Sequence, residues 1–142
     1  MPDKSRVLFL CGSNSCRSQM AEGFLKALAG DRFEVQSAGA SASFVHPLAI
    51  RVMADVGIDI SKHRSKSLDE FIGQEFDYVI AVCADDTKAI CPFFPGKAKH
   101  RLNWGFEDPA EAEGNEAQRV KVFESVRDQI ASRIKEFLSG VL

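Results

Sequence analysis

The chain has 142 residues, 45% of them hydrophobic, and a formal net charge of −2; this is enough apolar material for one domain with a sizeable core that needs no disulfides. A near-neutral balance without a basic cluster argues against binding to nucleic acid or to a membrane surface. No apolar stretch approaches the length of a bilayer span or a signal-peptide core, so a cytoplasmic protein is expected. Its four cysteines, Cys11, Cys16, Cys83 and Cys91, read as catalytic or metal-binding rather than as a disulfide framework.

Residues 7–10 (Val-Leu-Phe-Leu) form a hydrophobic run that reads as a buried strand, and Met20, Phe24 and Leu28 mark a helical stripe over residues 19–29. Between them lie Cys11, Gly12, Ser13, Asn14, Ser15, Cys16, Arg17 and Ser18. A small polar loop that joins a strand end to a helix start can curl unpaired backbone N–H groups around a tetrahedral oxyanion, and the helix adds a partial positive charge. The same field favours the thiolate of Cys11, with Arg17 beside it as a bidentate clamp and Ser18 placed to hydrogen-bond the sulfur. Gly12 through Arg17 are the expected oxyanion cradle. A buried cysteine that only packs is the ordinary alternative; the strand before and helix after favour function for Cys11, whereas Cys16 reads as a packing or loop-stabilising residue.

Residues 33–37 read as a second strand, closed by Ala38-Gly39. Pro47 suits the first position of a helix carrying Leu48, Val52 and Val56 to Gly57, with His46 a boundary residue. Lys62 to Lys66 form a short basic loop, read as a solvated turn, and Ser67 caps a brief helix through Leu68, Phe71 and Ile72. Residues 77–83 are a clear β-branched strand that again ends in a cysteine. Strand ends line up along one edge of a parallel sheet, so Cys11 and Cys83 are expected to share that edge. Two prolines, Pro92 and Pro95, keep residues 84–97 from forming one long helix, and residues 100–103 suggest a last short strand. Val120, Phe123, Ile130, Ile134, Phe137 and Leu138 mark a long amphipathic C-terminal helix. The expected fold is α/β: a single three-layer domain over residues 1–142, with a four-stranded parallel sheet in the order 2-1-3-4.

The run from Cys11 to Gly23, the Ser37-Ala-Gly39 turn, Cys83 followed by Cys91-Pro92, and residues 104–110 (Trp-Gly-Phe-Glu-Asp-Pro-Ala) resemble the thioredoxin-coupled arsenate reductases, which are built on the low-molecular-weight protein tyrosine phosphatase fold. The resemblance covers nearly the whole chain. It implies that Cys11 attacks arsenate, Arg17 clamps the oxyanion, Ser18 supports the thiolate and Asp108 protonates the leaving oxygen. It also implies that Cys83 attacks the Cys11–arsenic adduct and expels arsenite, and that Cys91 resolves the resulting disulfide into one that thioredoxin reduces. Two electrons are needed, which a single thiolate cannot supply, and a third thiol carries the disulfide away from the buried site. Residues 84–90 are expected to change conformation between the two disulfide steps.

Family members that bind potassium near the loop have matching residues here in Asn14, Glu22 and Ser37, but Arg64 and Lys66 fall at the last two ligand positions. No cofactor and no metal are therefore expected, with Lys66 or Arg64 in place of the ion. The expected partners are arsenate or a phosphate-like oxyanion and thioredoxin, acting on a monomer. Two other readings stand beside this one. A phosphatase working through a Cys11 phosphoenzyme would leave Cys83 and Cys91 idle, and Ala110 stands where such enzymes commonly carry an aromatic residue after Asp-Pro. A zinc or thiol-sensor module would need short paired cysteine spacings that the chain lacks.

Overall fold

A computed structural model of the chain describes residues 4–83 and 94–141. Four strands, β1 (Ser5–Cys11), β2 (Phe33–Gly39), β3 (Glu75–Cys83) and β4 (Lys97–Phe106), alternate with α1 (Arg17–Ala29), α2 (Pro47–Ala54) and, at the end, α3 (Glu116–Val141). Single 3-10 turns stand at Leu68–Phe71 and Pro109–Glu111. All strand pairs are parallel, and the sheet order is β2-β1-β3-β4, as expected.

β1 is central and buried on both faces, which explains its unbroken apolar run. Val7, Phe9 and Cys11 point into a core shared with all three helices; Leu8 and Leu10 point into a second cluster with Val79, Phe71 and Phe94. The period of two along one strand thus feeds both layers. On the helical side the ring of Phe9 packs 6.0 Å from Trp104, which meets Phe137 of α3 at 5.6 Å.

Several boundaries differ from expectation for identifiable reasons. β4 has ten residues rather than four because it is an edge strand: Lys97, Lys99 and Arg101 keep it soluble and erase the apolar pattern that marks a buried strand. In α1 the buried face runs through Met20, Ala21, Phe24 and Leu25, leaving Leu28 exposed. Helix α2 ends at Ala54, so Val56 lies in the following turn and is exposed; Gly57 takes a φ of +81° just after it. The brief helix after Ser67 is a 3-10 turn, capped by the Ser67 hydroxyl accepting from Asp69 N.

Truncating Phe9, fully buried between the sheet and α3, should cost about 3–5 kcal/mol. Denaturant unfolding of Phe9→Ala against the parent measures this, with the midpoint falling and the slope unchanged.

Candidate active site

The loop Gly12–Cys16 owes its shape to what its carbonyl oxygens bind. The oxygen of Gly12 accepts from Ala40 N at 2.9 Å, and that of Ser13 from the hydroxyls of Ser43 and Ser65, both at 3.1 Å. The oxygen of Asn14 accepts from Gln19 Nε2 at 3.2 Å, that of Ser15 from His46 N at 3.1 Å, and that of Cys16 from Met20 N at 2.9 Å within α1. In a trans peptide the carbonyl and the next N–H point in opposite directions. Five consecutive carbonyls tied outward therefore turn the amides of residues 13–17 toward the inside of the loop. Asn14 makes this curl with a φ of +52°, a left-handed conformation that Asn tolerates. The concavity lies at the N-terminus of α1, whose first turn carries no acidic residue to offset its positive end.

Cys11 is buried at the end of β1, with its sulfur 2.8 Å from Ser18 Oγ. Asn14 Nδ2 donates to Ser18 Oγ at 2.7 Å, and the Ser18 hydroxyl keeps its own hydrogen, which a thiolate at Cys11 would accept. Asn14 makes four side-chain bonds: Nδ2 also donates to Ser37 Oγ at 2.9 Å, and Oδ1 accepts from Gln19 Nε2 and Lys66 N, each at 2.8 Å.

Arg17, the first residue of α1, is buried; Nη1 donates to the carbonyl of Phe106 at 3.0 Å and Nη2 lies 3.7 Å from Asp108 Oδ2. The end of β4 thus holds the guanidinium and brings Asp108 beside it. Asp108 also caps the turn Pro109–Glu111, with Oδ1 accepting from Ala110 N at 3.0 Å. Cys83 is buried at the end of β3, its thiol donating to Leu10 O at 3.9 Å. As Leu10 pairs with Ala81, Cys11 and Cys83 end neighbouring parallel strands. Cys91 and the segment 84–90 lie outside the described residues.

Cys16 contrasts with Cys11. Burial, the largest effect, pushes its thiol up to about 12, against partial opposition from the Ser15 hydroxyl. It is a packed thiol, as its position inside the loop suggests. His46 caps α2, with Nδ1 accepting from Leu48 N at 3.1 Å, and its own N–H holds Ser15 O. Burial and then the charge of Arg119 hold its imidazole below its ordinary range.

The basic loop departs from its reading as a solvated turn. Lys62 and Arg64 are exposed, and Arg64 pairs with Glu70 at 2.7 Å; Lys66 is instead buried beneath the anion loop, near Glu22. Gln19 and His63 join the site without any signal in the sequence: Gln19 Nε2 ties Asn14 to Arg64 O at 3.1 Å, and His63 Nδ1 meets Gln19 Oε1 at 2.9 Å. No sequence period marks these residues, because they bond to the loop rather than to a helix face or a sheet face. Among the described residues, no group of three or more His, Cys, Asp or Glu is arranged to hold a metal ion, and no helix is long and apolar enough to cross a membrane.

Comparison with known proteins gives consistent matches. The profile of the low molecular weight phosphotyrosine protein phosphatase family matches residues 6–141. An arsenate reductase of Halalkalibacterium halodurans is 45% identical over 135 residues, covering 95% of this chain and 96% of the relative. A solved arsenate reductase in its phosphate-binding state superposes with a TM-score of 0.80 at 36% identity, covering 97% of this chain and 99% of the other. A thioredoxin-dependent arsenate reductase of Corynebacterium glutamicum superposes with a TM-score of 0.63 at 32% identity, over 96% of this chain and 63% of that longer one.

The glycine behind the loop and the packed thiol inside it can each be tested. A Cβ on Gly39 would stand 2.7 Å from Asn14 N and 2.8 Å from Gly12 O, both backbone atoms that yield only if the loop moves. Gly39→Ala should therefore lower turnover by about 100-fold or more while circular dichroism reports an intact fold, since a displacement of about 1 Å is enough for such a loss. Cys16 sets an alkaline limit on stability: its folded pKa lies above its unfolded value, so its contribution is complete below about pH 9 and declines as pH rises toward 12. Denaturant unfolding above pH 9 should show the parent losing about 1.4 kcal/mol per pH unit more than Cys16→Ala.

Proposed function

The chain belongs to the low molecular weight phosphotyrosine protein phosphatase family, and on that footing we propose that it reduces arsenate to arsenite by a thiol cascade recycled by thioredoxin. The observation that carries this reading is the pair of buried cysteines on neighbouring strand ends, Cys11 inside the anion loop and Cys83 beside it. A phosphatase needs the first; only an electron transfer needs the second. The relatives named as arsenate reductases, one of them thioredoxin-dependent, support the same choice.

Arsenate is held by the inward amides of residues 13–17 and by Arg17, and the Cys11 thiolate, supported by the Ser18 hydroxyl, attacks arsenic. A sulfur–arsenic bond forms and an arsenate oxygen leaves as water, with Asp108 supplying a proton. The Cys83 thiolate then attacks the Cys11 sulfur. A disulfide forms, the sulfur–arsenic pair passes to arsenic, and arsenite departs: two thiolates are oxidised by two electrons and arsenic is reduced by two. Cys91 attacks Cys83, releasing the Cys11 thiolate, and thioredoxin supplies the two electrons that reduce the Cys83–Cys91 disulfide.

The test is arsenate-dependent oxidation of NADPH in the presence of thioredoxin and its reductase. The parent should turn over many times, and Cys83→Ser should stop after a single adduct while still hydrolysing an aryl phosphate slowly, a reaction that needs only Cys11, Arg17 and Asp108. Equal arsenate turnover by parent and variant would refute the cascade. Aryl phosphate hydrolysis with no arsenate turnover in the parent would assign the chain to the phosphatases instead.

A further inference from the structure

Glu22 is almost wholly buried, on α1 beneath the anion loop. Its Oε1 accepts from the Ser37 hydroxyl and lies 3.8 Å from Lys66 Nζ; its Oε2 meets Lys26 Nζ, and His63 Nε2 stands 4.0 Å away. Lys26 reaches in from solvent with its side chain 45% exposed, whereas that of Lys66 is 8% exposed. The Lys66 ammonium also donates to Arg64 O at 3.0 Å. Burial pulls Lys66 below its ordinary range, and the Glu22 carboxylate opposes this.

A continuous chain of side-chain bonds runs up from Glu22. An ionised carboxylate only accepts, so Ser37 gives it its single hydrogen and is held where its oxygen accepts from Asn14 Nδ2. The other Asn14 N–H goes to Ser18 Oγ, which lies 2.8 Å from the Cys11 sulfur. A protonated Glu22 is itself a donor and no longer requires the Ser37 hydrogen. The oxygens that would ligate a monovalent cation are already engaged: Asn14 Oδ1 by Gln19 and Lys66 N, Ser37 Oγ by Asn14, and Glu22 by its own donors. An added ion would also face the Lys66 ammonium, so these residues do not fit a potassium ion.

We propose that Lys66 is the buried counter-cation of Glu22, beside the solvent-reaching Lys26, and positions the Cys11 nucleophile through Ser37, Asn14 and Ser18, making the site independent of alkali-metal ions. This deepens the proposed function, because what it positions is the nucleophile of that reaction. Lys66 is a positioning residue, since it acts through Glu22 and touches no reacting atom.

Two measurements test it. The first follows alkylation of Cys11 by iodoacetamide at neutral pH, resolved by peptide mapping, which reads the thiolate without any arsenate. Lys66→Met should slow this by about tenfold in every salt. Lys66→Ala, which opens room, should be equally slow in tetramethylammonium chloride and recover several-fold in potassium or methylammonium chloride. The second compares the parent in potassium, sodium and tetramethylammonium chlorides at equal ionic strength, and equal Cys11 alkylation in all three is expected. A parent stimulated by potassium, or a Lys66→Met variant that alkylates at the parent rate, would overturn the proposal. If Lys66→Met fails to fold, the comparison on the parent still decides. Because neither readout requires reductase activity, failure of the arsenate assay and failure of this proposal are separate results.

Discussion

The planarity of the peptide bond is the constraint on which this site depends. An anion cradle needs its amides turned inward, and the only way to hold them there is to give the opposed carbonyls partners on the outside. Those partners come from Ala40 beyond the end of β2, from Ser43 and His46 before α2, from Ser65 ahead of the 3-10 turn, and from Gln19 and Met20 on α1. The loop is short and local in sequence, but its shape is assembled from segments up to 52 residues away. Its precision is therefore a property of the packed domain, and anything that lets β2 or the 64–67 segment drift also loosens the cradle.

Two cysteines five positions apart have different neighbours. Cys11 ends a strand, with the Ser18 hydroxyl, itself accepting from Asn14, 2.8 Å from its sulfur. Cys16 is turned into the core, where desolvation dominates and its thiol is held protonated. Proximity to a helix N-terminus and to Arg17 is common to both; they differ in the partner of the sulfur, the Ser18 hydroxyl at 2.8 Å from Cys11 and the Ser15 hydroxyl at 3.8 Å from Cys16.

Much of this is legible in the sequence. β1 and β3 announce themselves because they are buried on both faces, and the small polar loop falls between a strand and a helix as its composition suggests. The strand order and the common edge for Cys11 and Cys83 come from the rules of parallel sheets. The features that leave no trace in the sequence share one physical cause, the absence of a periodic partner. Lys66 sits in a basic run that looks solvated, and nothing local distinguishes it from Lys62; it is buried because a carboxylate on α1 waits beneath the loop. Leu28 and Val56 extend an apolar spacing past the point where the neighbouring layer ends, so they stay exposed. β4 is longer than its apolar pattern because edge-strand charge disguises extended backbone.

The end of β4 shows how one irregularity serves the chemistry. Ala81 pairs with Asn103 but Cys83 pairs with Phe106, so three steps on β4 answer two on β3. In a regular ladder Cys83 would face Gly105, and the residues beyond would continue in the plane of the sheet. The additional residue is an irregularity of the β-bulge kind, which occurs beside functional sites. Trp104 and Phe106 both remain in the helical core, the Phe106 carbonyl meets Arg17, and Asp108 falls within 3.7 Å of the same guanidinium. Under the proposed function, a buried cation that must stay available to an oxyanion needs partners weaker than a full bidentate carboxylate pair. A single carbonyl bond and a carboxylate beyond hydrogen-bond distance hold Arg17 in place without completing its charge.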